Sequence, residues 1–257
     1  MIERKTIDKI IRATAAILSC FLVFLMFFGI MALEASKKPV EERQKIYDDA
    51  NKSIQNRLQS VEKSKNLPTD WPPKMNALYP DLALIDQTGK SFQLSELKGR
   101  VLVLEYVDMS SPVSQAQSGA GLLGAYGYTK EIDEFTEPFD EVLRKNPGLG
   151  QTPLVLPHAE LIQVKIIVYS QDDKQASRDD AQFWAEHFGF TRDRNIIVAV
   201  AREDIRIDSV EALITGYQLI DKNFNLRVDS AGTAPKHNLK LTLIPLVPKL
   251  LNQTAIP

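Results

Sequence analysis

The sequence predicts an α/β protein with a central mixed sheet flanked by helices. Three apolar runs have the length and composition of buried strands: Val101–Val107, Leu161–Tyr169 and Asn195–Ala201. The amphipathic stretch Ser177–Phe188 separates the second run from the third, and this succession predicts two parallel strands joined by a crossover helix. Two further segments, Tyr217–Ile220 and Leu226–Val228, predict a closing antiparallel hairpin.

The start of the chain predicts a membrane anchor. Residues 1–12 are charged, and residues 13–33 carry no charge and are long enough to span a bilayer core of about 30 Å. We expect an uncleaved, single-span anchor, because Leu33-Glu34-Ala35 is a poor match to a signal-peptide cleavage site. Cys20, the only cysteine, is interpreted as a small apolar residue of this span.

The orientation of the anchor is expected from its short basic N-terminus. Lysine and arginine are equally frequent on both sides of the span, so the positive-inside rule hardly favours either orientation. A short basic segment before a first span usually stays in the cytoplasm. We therefore expect a bacterial inner-membrane protein whose large domain faces the periplasm.

Residues 34–80 predict a helical stalk and a proline-rich linker. Within Pro39–Asn66 one apolar stripe recurs every three or four residues: Ile46, Ala50, Ile54, Leu58 and Val61. Two interpretations stay open, a stalk lying along its own domain or a helix coiled with another subunit. In the linker Asn66–Pro80 we expect Trp71 and Tyr79 to hold the chain against the domain, which covers residues 81–257.

The stretch Arg100–Ser118 places a helix start directly after the first core strand. The strand stops at Asp108, and Ser110-Ser111-Pro112 offers a serine N-cap followed by a proline at the first helical position. Such a helix points its free N–H groups and positive dipole end at the turn. A reactive cysteine often occupies such a turn, because the dipole stabilises a thiolate. Here the turn holds Ser111 and Ser114.

The remaining segments predict an insertion and a helical C-terminus. Gly119–Gly127 is glycine-rich, but its G-x-G-x-x-G spacing lies too far beyond the strand for a dinucleotide-binding loop. Residues 128–158 form the insertion, with a helix predicted over Glu131–Lys145. A short helix is predicted over Ser209–Ile214, and partial helix over Leu239–Leu251.

Several of these motifs resemble one family. They are Leu84–Lys90 with Phe92, Leu94–Arg100, Ser111-Pro112-Val113-Ser114 and Tyr217–Phe224. Together they are similar to the redoxin branch of the thioredoxin-like superfamily, which includes peroxiredoxins and membrane-tethered thioredoxins. There a short hairpin and a one-turn helix precede the first core strand, and a Cys-Pro-x-Cys dithiol follows it. The resemblance implies a thioredoxin-like fold over about residues 82–251.

The same resemblance marks where this chain departs from the family. Ser111-Pro112-Val113-Ser114 would be a degenerate redox motif, and Thr215 is the nearest counterpart of the family's cis-proline. Disulfide exchange needs a thiolate, and a serine hydroxyl cannot form a disulfide. The sequence therefore predicts no dithiol chemistry by this polypeptide alone.

Other chemistries are not favoured by the sequence. A net charge of −2 offers no argument for nucleic acid. The three histidines, His158, His187 and His237, have no metal-ligand spacing, so we expect no metal site and no cofactor. Ser111 lacks a G-x-S-x-G elbow, which argues against serine catalysis.

Two hypotheses for function remain. The first is a membrane-anchored, redox-inactive thioredoxin-like protein that is not an enzyme and acts through protein binding, as an accessory, scaffold or assembly subunit. The alternative is a thiol–disulfide oxidoreductase or peroxiredoxin relative whose dithiol is mutated or supplied by a partner.

Overall fold

The computed structural model describes residue 42 and residues 44–120, 137–145 and 154–253. The predicted anchor at 13–33 and most of the predicted insertion lie outside these residues. Within them, no helix combines the length and the apolar composition that a membrane crossing requires.

The chain divides into two compact units, Met1–Gln59 and Ser60–Pro257. Helix α1 covers residues 44–64 and confirms that part of the helix predicted over Pro39–Asn66. The predicted stripe is exposed along α1: the side chains of Ile46, Ile54 and Leu58 are each more than half accessible to solvent.

Within the described residues, the second unit is built on one seven-stranded sheet in the order β2–β1–β5–β4–β3–β6–β7. The strands are β1 Ala83–Asp86, β2 Ser91–Gln93, β3 Val101–Asp108, β4 Leu161–Tyr169, β5 Ile196–Ala201, β6 Gly216–Ile220 and β7 Leu226–Ala231. β3, β4 and β5 run parallel, whereas β1 pairs antiparallel with β5, and β6 with β3. The predicted mixed sheet and its closing hairpin are confirmed.

The approach to β3 follows the expected redoxin pattern. β1 and β2 form a short antiparallel hairpin, and a one-turn 3₁₀ helix, Leu94–Leu97, leads into β3. β3 continues into a helix, and the β6–β7 hairpin closes the other side of the sheet. The fold is therefore thioredoxin-like.

The helices of this unit are α2 Pro112–Ser118, α3 Phe139–Lys145, α4 Arg178–Phe188, α5 Asp208–Glu211 and α6 Ile244–Leu251, the last preceded by a π-helical stretch, Leu239–Leu243. The helix predicted over Glu131–Lys145 is described from residue 137 onward, and within these residues α3 begins at Phe139, directly after Pro138, which has no N–H to donate inside a helix. The Pro138 carbonyl accepts from the Val142 N–H at 3.0 Å, the first hydrogen bond of α3. One predicted boundary is wrong. α5 ends at Glu211, three residues earlier than predicted.

Apolar side chains cover both faces of the sheet. The linker face carries Leu104, Val164 and Ala199 and is covered by Leu67, Tyr79 and Val210, among others. The helix face carries Val103, Val107, Leu161 and Val198 and is covered by α3, α4 and α6.

The linker is fastened to its face as expected. The Trp71 indole N–H donates to Ser209 Oγ at 2.9 Å, and the Tyr79 hydroxyl donates to Gln218 Oε1 at 2.6 Å. Both aromatic side chains therefore hold the proline-rich segment on the domain.

Candidate functional site at the end of strand β3

The serine turn, residues Ser110–Ser114, joins β3 to α2. Ser111 is the N-cap of α2, and its hydroxyl accepts from the Ser114 N–H at 3.5 Å, with Pro112 at the first helical position. Asp108 Oδ1 accepts from the N–H and the hydroxyl of Ser110, at 2.8 and 2.7 Å. The predicted helix start is confirmed, and local hydrogen bonds hold the turn.

Ser114 faces inward from the first turn of α2. Its side chain is fully buried, and its hydroxyl accepts from the Asp108 N–H at 3.3 Å. The Gln115 amide donates to the Met109 carbonyl at 2.8 Å, which adds a second link between helix and strand. Gly119, with φ of 107°, ends the helix in the left-handed region. Ser111 and Ser114 therefore serve as structural hydrogen-bonding groups in a short helix.

Thr215, the expected counterpart of the cis-proline, has an unusual backbone conformation. Its φ is +72°, and the cis peptide bonds among the described residues lie elsewhere, at Trp71–Pro72 and Leu156–Pro157. A β-branched residue in this region is strained by about 1–3 kcal/mol. The Thr215 N–H donates to the Tyr106 carbonyl at 3.2 Å, and its carbonyl accepts from the Gly232 N–H at 2.7 Å. The domain itself thus uses both backbone polar groups of Thr215.

The structure brings the serine turn and Thr215 to the same end of β3. The Gly216 N–H donates to Gln117 Oε1 of α2 at 3.2 Å, which ties the Thr215 turn to the helix. A Cβ at Gly216 would lie 2.3 Å from the Ser230 carbonyl oxygen, so only glycine fits this crossing. The predicted site residues therefore belong to one continuous region. That this region replaces a dithiol site stays a prediction.

A buried ion pair lies in the middle of the helix face. Glu105 of β3 and Lys165 of β4 are direct partners in the parallel register, and their charged groups form an ion pair. The side chain of Glu105 is 2% exposed and that of Lys165 is 3% exposed. The Lys165 ammonium also lies 4.9 Å from the ring centroid of Phe190. The sequence pattern predicts no such pair, although each of these apolar runs contains one charged residue, Glu105 or Lys165.

The ion pair leaves polar atoms unmatched. Among the described residues, neither Glu105 Oε1 nor the Tyr217 hydroxyl has a hydrogen-bond partner of normal geometry. Burial raises the pKa of Glu105, although the Lys165 charge opposes this. Burial also raises the pKa of Tyr217 well above its ordinary value, and the Glu105 charge raises it further. Burial thus disfavours the charged form of both side chains, because a buried charge loses its solvation by water.

A cleft of about 190 Å³ opens beside the ion pair. Its lining includes Gln117, Phe139, Gln163, Lys165, Phe190 and Arg194. Asp140 at its rim accepts from the Gln163 amide and lies 3.8 Å from the Arg194 guanidinium. The positive and negative groups of this rim are thus already paired with one another.

The linker face holds a separate buried polar network. The hydroxyls of Tyr79 and Tyr106 are 2.9 Å apart, Tyr79 donates to Gln218, and the Gln218 amide donates to Asp229 Oδ1 at 3.0 Å. Lys236 is the last member of this hydrogen-bonded series, and its ammonium donates to Asp229 Oδ2 at 2.8 Å. Burial raises the pKa of Tyr79 and of Tyr106, which keeps both phenols protonated as donors.

The histidines lie apart from the serine turn. His158 Nδ1 accepts from the Glu160 N–H, and His237 Nδ1 bonds the backbone of Asp229, both at 3.2 Å. His187, on α4, packs against Phe188 with ring centroids 4.8 Å apart. In the part of the chain that the structure describes, no three metal-ligating side chains form a group that could hold an ion.

Comparison with known proteins gives distant likeness only. No protein-family model and no curated protein matches the sequence. A peroxiredoxin-like protein from Aquifex aeolicus is similar with a TM-score of 0.41 and 13% identity, over 70% of this chain and 89% of that one. BsSco, a member of the Sco family of cytochrome c oxidase assembly proteins, is similar with a TM-score of 0.41 and 12% identity, over 70% and 95%.

A third solved structure is of the same kind. The thioredoxin domain of a thiol-disulfide oxidoreductase from Bacteroides vulgatus is similar with a TM-score of 0.36 and 13% identity, over 64% of this chain and 91% of that one. At these identities and scores the likeness says nothing about function. By its own sheet order and connections, this chain has a thioredoxin-like fold.

Proposed function

We propose that this protein is a redox-inactive thioredoxin-like protein that acts by binding another protein, as an accessory, scaffold or assembly subunit. Residues 13–33 anchor it in the bacterial inner membrane, with the thioredoxin-like domain in the periplasm. One observation carries the proposal: Ser111 and Ser114 occupy the turn between β3 and α2, and both hydroxyls take part in holding that turn.

The chemistry of the turn supports a binding role. Serine cannot exchange disulfides, and Cys20, the only cysteine, lies in the predicted anchor. The described elements around the turn are nevertheless held together, with Gly216 joined to α2 through Gln117. The turn has a small solvent-exposed apolar surface, since Pro112 is exposed and the side chain of Val113 is 37% exposed.

Site-specific photocrosslinking in the native membrane tests this role. A photoreactive residue at Val113 is expected to capture one discrete protein, identified by mass spectrometry. The same residue at Asp179 of α4, which is highly exposed, is the matched control and is expected to capture none. Equal capture at both positions, or capture at neither, would contradict a partner at the serine turn.

A thiol–disulfide exchange assay separates this proposal from the oxidoreductase alternative. The wild-type protein is expected to show no turnover, with or without the captured partner. Turnover by the wild-type protein with its partner would show that the partner supplies the thiols. Turnover by the Ser111→Cys/Ser114→Cys variant would show that the region keeps the geometry of a working dithiol site.

A further inference from the structure

Helix α1 carries a heptad pattern beside its apolar stripe. Tyr47, Ile54 and Val61 follow one another at intervals of seven residues, with Asn51 and Leu58 four residues after the first two. Residues at these spacings form one seam along a helix, as the a and d positions of a coiled coil do. The apolar members are exposed: Tyr47 to 69%, Ile54 to 54%, Leu58 to 58% and Val61 to 61%.

Charges beside the seam match a parallel pairing. Arg57 directly precedes Leu58, and Glu62 directly follows Val61, so they take the g and e positions. In a parallel, in-register pair the g residue of one helix faces the e residue of the next heptad on the other. Arg57 would thus meet Glu62 of a second copy. The sequence repeats this spacing two heptads earlier, at Arg43 and Asp48.

At the end of α1, within the second unit, Val61 is directed away from the domain. Lys63 forms an ion pair with Asp204 at 3.2 Å and is only 27% exposed. Residues two apart on an α-helix point about 200° apart, since each residue turns it by about 100°. Val61 therefore lies opposite the side of the helix that Lys63 holds on the domain. The seam is open at this end, with the domain behind it.

We propose that α1 pairs with α1 of a second copy of this chain in a parallel, in-register coiled coil. The seam is Tyr47, Asn51, Ile54, Leu58 and Val61, and Asn51 opposite its own counterpart favours this one register. The seam is short, and Glu62 already has an intrachain pair with Lys65 at 2.6 Å, so the association is weak and depends on high local concentration. It does not involve the serine turn, but it rests on the membrane anchor of the proposed function, which supplies that concentration.

Disulfide crosslinking of the full-length protein in membranes tests the pairing. Cys20→Ala removes the native thiol, and Ile54→Cys then places one cysteine on the seam. Mild oxidation is expected to give a disulfide-linked dimer. Asn56→Cys, two residues on and about 200° around the helix, is the matched control and is expected to give at least tenfold less dimer. Both positions are exposed, so neither change disturbs a core.

Charge exchange then tests register and partner. In the Ile54→Cys protein, Arg57→Glu alone and Glu62→Arg alone are each expected to lower the dimer yield several-fold, and the two together to restore it. Equal crosslinking at residues 54 and 56, or a double variant no better than the single ones, would overturn the in-register pairing. Crosslinking of Ile54→Cys to a different protein, without a homodimer, would overturn the second copy as the partner.

Discussion

The two faces of the sheet bury polar side chains in opposite ways. On the linker face, Tyr79, Tyr106, Gln218 and Asp229 form an unbroken chain of hydrogen bonds. On the helix face, Glu105 and Lys165 pair, yet Glu105 Oε1 and the Tyr217 hydroxyl have no partner among the described residues. A complete buried network stabilises a fold, whereas an incomplete one retains part of its desolvation cost.

The two polar groups also differ in what lies beside them. The linker-face network fastens Tyr79, and with it the linker, to the sheet. The helix-face pair lies beside a cleft that Gln117, near the C-terminal end of α2, also lines. Buried ion pairs are weak evidence for stability, because well-packed apolar residues often do as well. Stability alone therefore does not explain why the helix face buries a charged pair.

The largest effect is expected from separating the ion pair. Lys165→Met leaves the Glu105 carboxylate buried without a counter-charge, which costs about 3–5 kcal/mol of unfolding free energy. The Glu105→Met/Lys165→Met variant removes both charges and is expected to return to near the wild-type value. Urea denaturation of the three proteins measures this. A double variant as unstable as the single one would show that the pair itself stabilises the fold.

A pair of matched tyrosine variants compares the two faces directly. Tyr79→Phe removes a hydroxyl that bonds both Tyr106 and Gln218, and is expected to lower the unfolding free energy by about 1–3 kcal/mol. Tyr217→Phe removes a buried hydroxyl without a partner, and is expected to leave stability unchanged or slightly higher. The same denaturation experiment measures both. Equal losses would mean that the Tyr217 hydroxyl does find a partner in the folded protein.

The smallest effect is expected at the rim of the linker face, in acid. Burial raises the pKa of Asp204, but hydrogen bonds from Arg206 and Lys63 outweigh it and lower this pKa from 3.8 to about 2. Because the folded state favours the ionised carboxylate, its contribution is complete above about pH 4 and is lost as the pH falls toward 2. Solvent screening limits it to about 1 kcal/mol.

The pH series needs one control variant. Asp204→Asn is expected to be less stable than the wild type at neutral pH, and the gap is expected to close as the pH falls from about 4 to about 2. Thermal unfolding across this range measures it. A gap that stays constant with pH would show that the Asp204 charge contributes nothing to folding.

The serine turn shows how far local sequence signals reach. Ser111 before Pro112 predicts an N-cap and a first helical residue, and the structure has both there. The cap depends only on residues within one helical turn, so no distant contact was needed to predict it. Pro138 shows the limit: it has no N–H to donate inside a helix and directly precedes α3, yet the apolar periodicity of Glu131–Lys145 predicts a helix that runs through it.

The sequence by itself determined the fold class, the strand and helix order, and the presence of serines in the turn after β3. These follow from periodicity and capping, which act between near neighbours along the chain. Only the tertiary structure decided that Glu105 meets Lys165, since this depends on the register between strands separated by the insertion. It alone also decided that Thr215 is left-handed, because contacts with Tyr106 and Gly232 hold a conformation that no local preference favours.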